Sequence, residues 1–364
     1  MKTILSCLLF LLLSAVVAQE AATPIDWDRA KALYQRDQRG ETLAPDDQAY
    51  LNRAKEARRQ RQQAGPAQAD RAQRKAPARL IPLCDMSAED RYEGQDGGLY
   101  GAGKNVPSAG QQARAEIALQ KIQPLDAKGQ PSPKGTIAFI SISMSNATME
   151  FSRFKQVADQ SPDKSARVTI IDCAQGGQAM AQWVQPDAGP WKKATERIAA
   201  AGVTPEQVQV AWVKLANKSP SGSLLDHCTK LEADTIAVLH NARKRFPNLQ
   251  VVYLGSRIWA GNAKGSLNPE PYAYESAFAV RNLIQRQAKG DAELAATSTP
   301  VLLWGPYLWA EGERGRKSDD LIWAAGDFAG DGVHPSNRGR DKVAGMLLDF
   351  CLGDPLAKRW FGKP

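Results

Sequence analysis

One stretch, Thr136-Ile-Ala-Phe-Ile-Ser-Ile-Ser-Met-Ser145-Asn-Ala-Thr-Met-Glu150, constrains the fold of this chain more than any other. An apolar run rich in β-branched and aromatic residues stops at small polar ones, and a segment able to form a helix follows. That pattern predicts a buried strand over 136–142 feeding a helix through a tight turn. Ser145 falls on the turn. A serine at such an elbow has its hydroxyl lifted above the carboxyl edge of a sheet, beside helix N–H groups that stabilise negative charge. The same position also suits a plain helix N-cap, so Ser145 by itself leaves both readings open.

Four further apolar runs predict strands at 168–172, 207–213, 249–255 and 299–304. Their Val/Ile/Leu content is that of parallel strands covered on both faces. Between and after them, 148–158, 190–201, 224–246, 272–288 and 337–351 have the periodicity of amphipathic helices. Five β-α units in succession predict an α/β fold: a doubly wound, mainly parallel five-stranded sheet with helices on both faces. In such sheets ligands bind beyond the carboxyl ends of the strands, which is where Ser145 lies.

Ahead of this domain the chain changes character. Residues 1–18 combine one lysine, a short apolar run and small residues before Gln19, the pattern of a cleavable secretory signal, and so predict a secreted or periplasmic protein. The run is too short for a membrane span, and no later segment is long enough to cross a bilayer. Ile25, Ala30 and Leu33, then Tyr50, Leu51 and Ala54, suggest a helical hairpin over 19–62. A basic Ala/Gln/Pro linker at 63–79 joins it to the domain at 80–364. The end of the hairpin and the linker together account for the net charge of +8. Nearly all the excess Lys and Arg lies between Asn52 and Leu80, and the remainder is close to neutral, without a basic stripe interleaved with aromatics. Nucleic acid is therefore not an expected partner. Removal of the signal leaves Cys84, Cys173, Cys228 and Cys351, for which three disulfide pairings are open. No Cys-x-x-Cys or paired-His spacing points to a metal, and no cofactor is implied.

There are three histidines. His227 and His240 sit inside a predicted helix and read as structural. His334 belongs to Phe328-Ala-Gly-Asp331-Gly-Val-His334-Pro, in a loop just before the last helix. A carboxylate three residues ahead, across a glycine, can reach the imidazole from the same loop. It would fix the tautomer and stabilise the imidazolium formed when His334 takes a proton from a serine.

Ser145 after the first strand, a glycine pair after the second and Asp-x-x-His-Pro before the last helix together resemble the SGNH, or GDSL-like, hydrolase superfamily over about 130–352. The block Ala174-Gln-Gly-Gly177-Gln178 is similar to the branch typified by sialic-acid and xylan acetylesterases. The resemblance implies Ser145 as nucleophile, His334 as general base, Asp331 as its orienting acid and Gly177 as a backbone oxyanion donor. Two blocks depart from the pattern. Ser143-Met144-Ser145 lacks the acid that usually precedes the nucleophile. In the third block the oxyanion asparagine aligns with Ala216, with Asn217 one position late, and Lys214 is a possible substitute donor.

Further candidates for ligand contact lie on predicted loops. Asp96-Gly97-Gly98-Leu-Tyr100 is a glycine cluster able to bring backbone N–H groups close to a ligand. Gln178, Lys214, Arg257 and Glu275 are polar residues placed near strand ends, among Trp259, Tyr272, Trp304 and Trp309. Aromatic faces with nearby Arg and Glu suit a sugar. The expected activity is hydrolysis of small esters, plausibly O-acetyl groups on a carbohydrate, so the expected partner is a small-molecule or glycan ester. The alternative is a catalytically weak carbohydrate-binding protein that has kept the fold.

Overall fold

The computed structural model describes residues 25–26, 29–30, 33, 36, 43–63, 74 and 76–363. The predicted signal segment and most of the predicted linker lie outside these residues, as does part of the first helix of the predicted hairpin. The chain divides into two compact units, Met1–Ala72 and Gln73–Pro364.

In the first unit, helix α1 (Pro45–Gln63) carries Asp46 and Asp47 in its first turn, where carboxylates complement the helix dipole. Leu33, Leu43 and Leu51 pack together, and Arg29 pairs with Asp47 at 2.9 Å.

The second unit is an α/β sheet. Five parallel strands, β1 (Ile137–Ser143), β2 (Val168–Ile171), β3 (Val208–Lys214), β4 (Val251–Leu254) and β5 (Val301–Trp304), pair in the order β2-β1-β3-β4-β5. The order reverses at β1, so the crevice at the carboxyl end of that strand is the topological switch point. Helices α2 (Ala109–Leu119), α3 (Ser145–Gln160), α4 (Met180–Val184), α5 (Gly189–Ala200), α6 (Leu224–Arg245), α7 (Tyr272–Ala288), α8 (Asn337–Gly353) and α9 (Lys358–Phe361) surround it. The expectation of a doubly wound sheet holds, with α2, α4 and α9 added to the predicted helices.

Alternation along the strands decides which residues serve which face. Phe139, Val210, Trp212 and Tyr253 point toward α3 and α8, whereas Ile140, Ile142, Ala211, Val213 and Val252 point toward α5, α6 and α7. Both faces are apolar, which is why the strands read as continuous hydrophobic runs. On the α3 face, Phe139 meets Phe151 edge-on at 5.2 Å and Phe151 stacks on Trp212 at 5.7 Å. These rings seat the helix whose first residue is Ser145. All four cysteines of the second unit are free thiols, so none of the three open pairings forms. Among the described residues no helix is long and apolar enough to cross a membrane.

Phe151 is fully buried. Phe151→Ala should cost about 3–5 kcal/mol of unfolding free energy, measured by urea denaturation. A loss below about 1 kcal/mol would mean that α3 is seated by other contacts.

Candidate active site

β1 ends at Ser143, and the chain turns through Met144, whose extended backbone (φ −115°, ψ −168°) forms the N-cap of α3. Ser145 is therefore the first helical residue and not the cap. Its hydroxyl is free of capping duty and lies 2.7 Å from His334 Nε2. His334 Nδ1 lies 2.5 Å from Asp331 Oδ2. An Nδ1–H donated to the carboxylate leaves Nε2 as the acceptor for the serine proton. The other carboxylate oxygen, Oδ1, accepts the backbone N–H groups of Val333 and His334, both at 3.0 Å. Burial pushes the Asp331 carboxyl up, but the hydrogen bonds from His334 and the two amides outweigh it and hold the group below the usual carboxylate range. Asp331 stays ionised beside the imidazole.

The loop carrying this pair is closed on itself. Ala329 N–H donates to the His334 carbonyl at 2.8 Å, and Lys264 N–H donates to the Asp331 carbonyl at 3.0 Å. Gly332 has φ +71°, and a Cβ there would lie 1.9 Å from the Asn262 carbonyl oxygen. Only glycine fits at position 332, directly after Asp331.

The loop after β2 lies beside the turn that carries Ser145. Gln175 N–H donates to the Ser143 carbonyl at 3.0 Å, and Met180 N–H donates to Ala216 at 3.2 Å. The loops after β1, β2 and β3 are thereby laced edge to edge. Gly177, with φ +77°, is exposed on this loop, and its N–H has no hydrogen-bond partner among the described residues. The Ser145 N–H, as the first of α3, has no intrahelical acceptor. α3 has no acid in its first turn to compete for negative charge. Asn217 lies half-buried three residues past β3, its carbonyl accepting Asn268 Nδ2 at 3.4 Å. Gln178 is half-buried next to Gly177, and its carbonyl accepts Trp183 Nε1 at 3.3 Å.

Several residues expected to contact ligand have other duties. Lys214 is fully buried and paired with Glu150 of α3, so its ammonium faces the interior. Burial pushes that amine down to about 8, opposed by the Glu150 charge. Arg257, 3% exposed, lies in the same interior region, and burial pushes its guanidinium down to about 10 against the attraction of Glu150 and Glu270. Glu275 is also fully buried. It accepts from Tyr92 Oη (2.7 Å), faces His227 Nδ1 (3.2 Å) and pairs with Arg74 (2.8 Å), which makes it a packing hub. His227 keeps the structural role expected of it. The N–H groups of Gly97 and Gly98 are taken by the carbonyls of Ser87 and Leu83 at 3.1 and 2.9 Å. A Cβ on Gly97 would lie 2.2 Å from the Met86 oxygen, so the glycine serves close packing and not ligand approach. Tyr100 packs into the core, where burial raises its phenol to about 12.

Sequence reasoning missed Asp172, directly after β2. Its carboxylate accepts from Ser141 (2.6 Å), Ser152 (2.8 Å) and Thr148, tying β1 and β2 to α3 a turn beyond Ser145. An acid that ends a Val/Ile run was the available signal. Glu150 was missed because it looks like an ordinary helix-surface residue. Among the described residues no group of His, Cys, Asp and Glu is arranged to hold a metal ion.

No protein-family model matches the sequence, and no curated protein matches it. Among solved structures, a Bacteroides thetaiotaomicron GDSL-like lipase is 10% identical with a TM-score of 0.32, over 65% of this chain and 95% of that one. The periplasmic domain of a Salmonella Paratyphi A lipopolysaccharide acetyltransferase is 11% identical with a TM-score of 0.33, over 67% and 95%. A salicylyl-acyltransferase from a tetracycline biosynthetic pathway is 14% identical with a TM-score of 0.34, over 63% and 58%.

Glu150 faces two buried cations, so Glu150→Gln should cost about 3–5 kcal/mol, and Lys214→Met, which leaves Glu150 facing Arg257, should cost less. The Lys214 amine titrates near 8 in the fold against 10.5 for the free group. Its contribution is complete above the unfolded value and is lost as pH falls through the folded one. Wild type should therefore gain stability relative to Lys214→Met as pH rises from about 8 to about 10. A pH-independent difference would contradict the buried, depressed amine.

Proposed function

We propose that this protein is a serine hydrolase of small carboxylic esters that works through an acyl-enzyme. The observation that carries the reading is the chain of contacts Asp331–His334–Ser145, at 2.5 and 2.7 Å, over the carboxyl end of β1. Ser145 Oγ attacks the acyl carbon as His334 Nε2 takes its proton, and Asp331 stabilises the resulting imidazolium. The developing oxyanion is met by the Ser145 and Gly177 N–H groups, which have no other partner among the described residues. The alcohol leaves with the proton from Nε2. Water then enters, loses a proton to the same nitrogen, and releases the acid.

The substrate class we propose is an O-acetyl ester on a carbohydrate, acted on outside the cytoplasm. The resemblance of the Ala174–Gln178 block and the signal-like first 18 residues support it; of the aromatic residues expected to meet a sugar, Tyr272, Trp304 and Trp309 are buried and Trp259 alone of the four is partly exposed. The departure at Ala216 bears on rate. If Asn217 does not reach the oxyanion, one donor is missing, at a cost of roughly 10²–10³ in turnover.

Wild type should hydrolyse p-nitrophenyl acetate. Ser145→Ala should remove at least about 10⁴-fold of that activity, and Asp331→Asn a similar factor by misdirecting the imidazole. A fluorophosphonate probe should add its mass to the Ser145 peptide. A folded wild-type sample that binds glycans but neither labels nor turns over would establish the binding-protein reading instead.

A further inference from the structure

A groove of about 530 Å³ runs between α3 and α8, away from the catalytic centre. Ser152, Arg153 and Gln156 line one wall, and Asn337, Arg340 and Asp341 the other. It opens at Thr148, three residues beyond Ser145, and runs to Gln156, about 12 Å further along the helix axis at 1.5 Å per residue. The nucleophile and the base each precede one wall in sequence. A substrate whose ester lies over Ser145 can therefore lay the rest of its chain in this groove.

The charges around the groove are unevenly matched. Arg338 and Lys342 both pair with the buried Asp327, each at 2.6 Å. Arg153 pairs with Asp341 at 2.6 Å and donates to Gln156 at 3.2 Å. Arg340 forms no ion pair among the described residues, and its Nε is buried without a hydrogen-bond partner. Burial of that stem holds the side chain in place, so a ligand gains a positioned guanidinium at reduced ordering cost. The cations also sit where helix energetics disfavours them. Arg338, Arg340 and Lys342 occupy the first two turns of α8, which has no acid in its first turn to offset the positive end of the helix. Asp327 offsets one of the charges on Arg338 and Lys342, and in the lining of the groove itself Arg153 is matched by Asp341, which leaves Arg340 as the unpaired positive charge of that lining. A planar guanidinium matches a carboxylate in geometry and charge.

We propose that the α3–α8 groove is a subsite for an acidic glycan chain, with Arg340 binding the carboxylate of a uronic-acid residue next to the esterified sugar. This inference rests on the esterase reading for its biological sense, but its test does not depend on turnover. Ser145→Ala protein, full chain, is titrated calorimetrically with an oligogalacturonide and with a neutral xylo-oligosaccharide of equal length. The acidic ligand should bind at least tenfold tighter at low salt, and the preference should fade as NaCl is raised from about 20 to 500 mM. Adding Arg340→Gln should bring the acidic ligand to the neutral level, and Arg340→Lys should retain part of the difference. Amide shift perturbation by the oligogalacturonide in Ser145→Ala should concentrate on 148–156 and 337–341. Equal affinity for the two ligands, no effect of Arg340→Gln in a variant with unchanged melting temperature, or shifts mapping elsewhere would each overturn the proposal. Loss of fluorophosphonate labelling in wild type would instead overturn the esterase reading and leave the binding result standing.

Discussion

The ion pair between Glu150 and Lys214 holds the carboxyl edge of this sheet together from inside. It joins α3, five residues past Ser145, to the last residue of β3, and both side chains are fully buried. Two unit charges 4 Å apart attract by about 4 kcal/mol at an effective dielectric of 20. Desolvating them costs several kcal/mol per ion, so the pair adds little net stability. What it adds is position, because neither charge can be left alone and α3 cannot slide along β3 without separating them. Asp172 does the same on the other side, binding Ser141 of β1 and both Thr148 and Ser152 of α3. Between these two anchors the first turn of α3 has one seat, and Ser145 occupies it.

His334 reaches that seat by a different device, a loop braced by its own backbone. Asp331 accepts the amides of Val333 and His334 while holding the imidazole, so one carboxylate both shapes the turn and orients the ring. Gly332 makes this possible, since any side chain there would strike the Asn262 carbonyl. The imidazole is thus placed by local geometry and the hydroxyl by tertiary packing. The 2.7 Å contact between them measures how well two independent constructions agree.

This division explains what was legible in the sequence. The strands were visible because burial on both faces leaves continuous apolar runs, whereas the helix over 272–288, expected to be amphipathic, is buried on nearly every side. Asp331-Gly-Val-His334 was visible because its interactions are local. The charged residues Lys214, Arg257 and Glu275 were misread as ligand contacts for a physical reason. A charge near a strand end is normally solvated, and the partners that draw these inward are 64 residues away for Lys214 and 183 for the Tyr92–Glu275 contact. No window of sequence contains both members of such a pair. Gly97 and Gly98 were misread for a related reason. Glycine serves close approach to a ligand and close approach to the chain's own backbone equally well, and here Met86 approaches Gly97 and the backbone of Gly103 and Lys104 approaches Gly98.

The acid missing before the nucleophile follows the same electrostatic logic. With Met144 at that position the N-terminus of α3 has no side-chain cap, and its first turn holds no carboxylate. An uncapped N-terminus leaves N–H groups unpaired, at a cost in stability of about 1 kcal/mol relative to a polar cap. Those N–H groups are the ones that can meet an oxyanion, and a nearby carboxylate would weaken them for that use. With alanine at 216, the proposed reaction places more of its charge stabilisation on the backbone N–H groups of Ser145 and Gly177. An α3 terminus where Asn146 takes the Ala147 N–H but the N-cap Met144 supplies no side-chain acceptor and the first turn holds no carboxylate is the arrangement that this shift of burden requires.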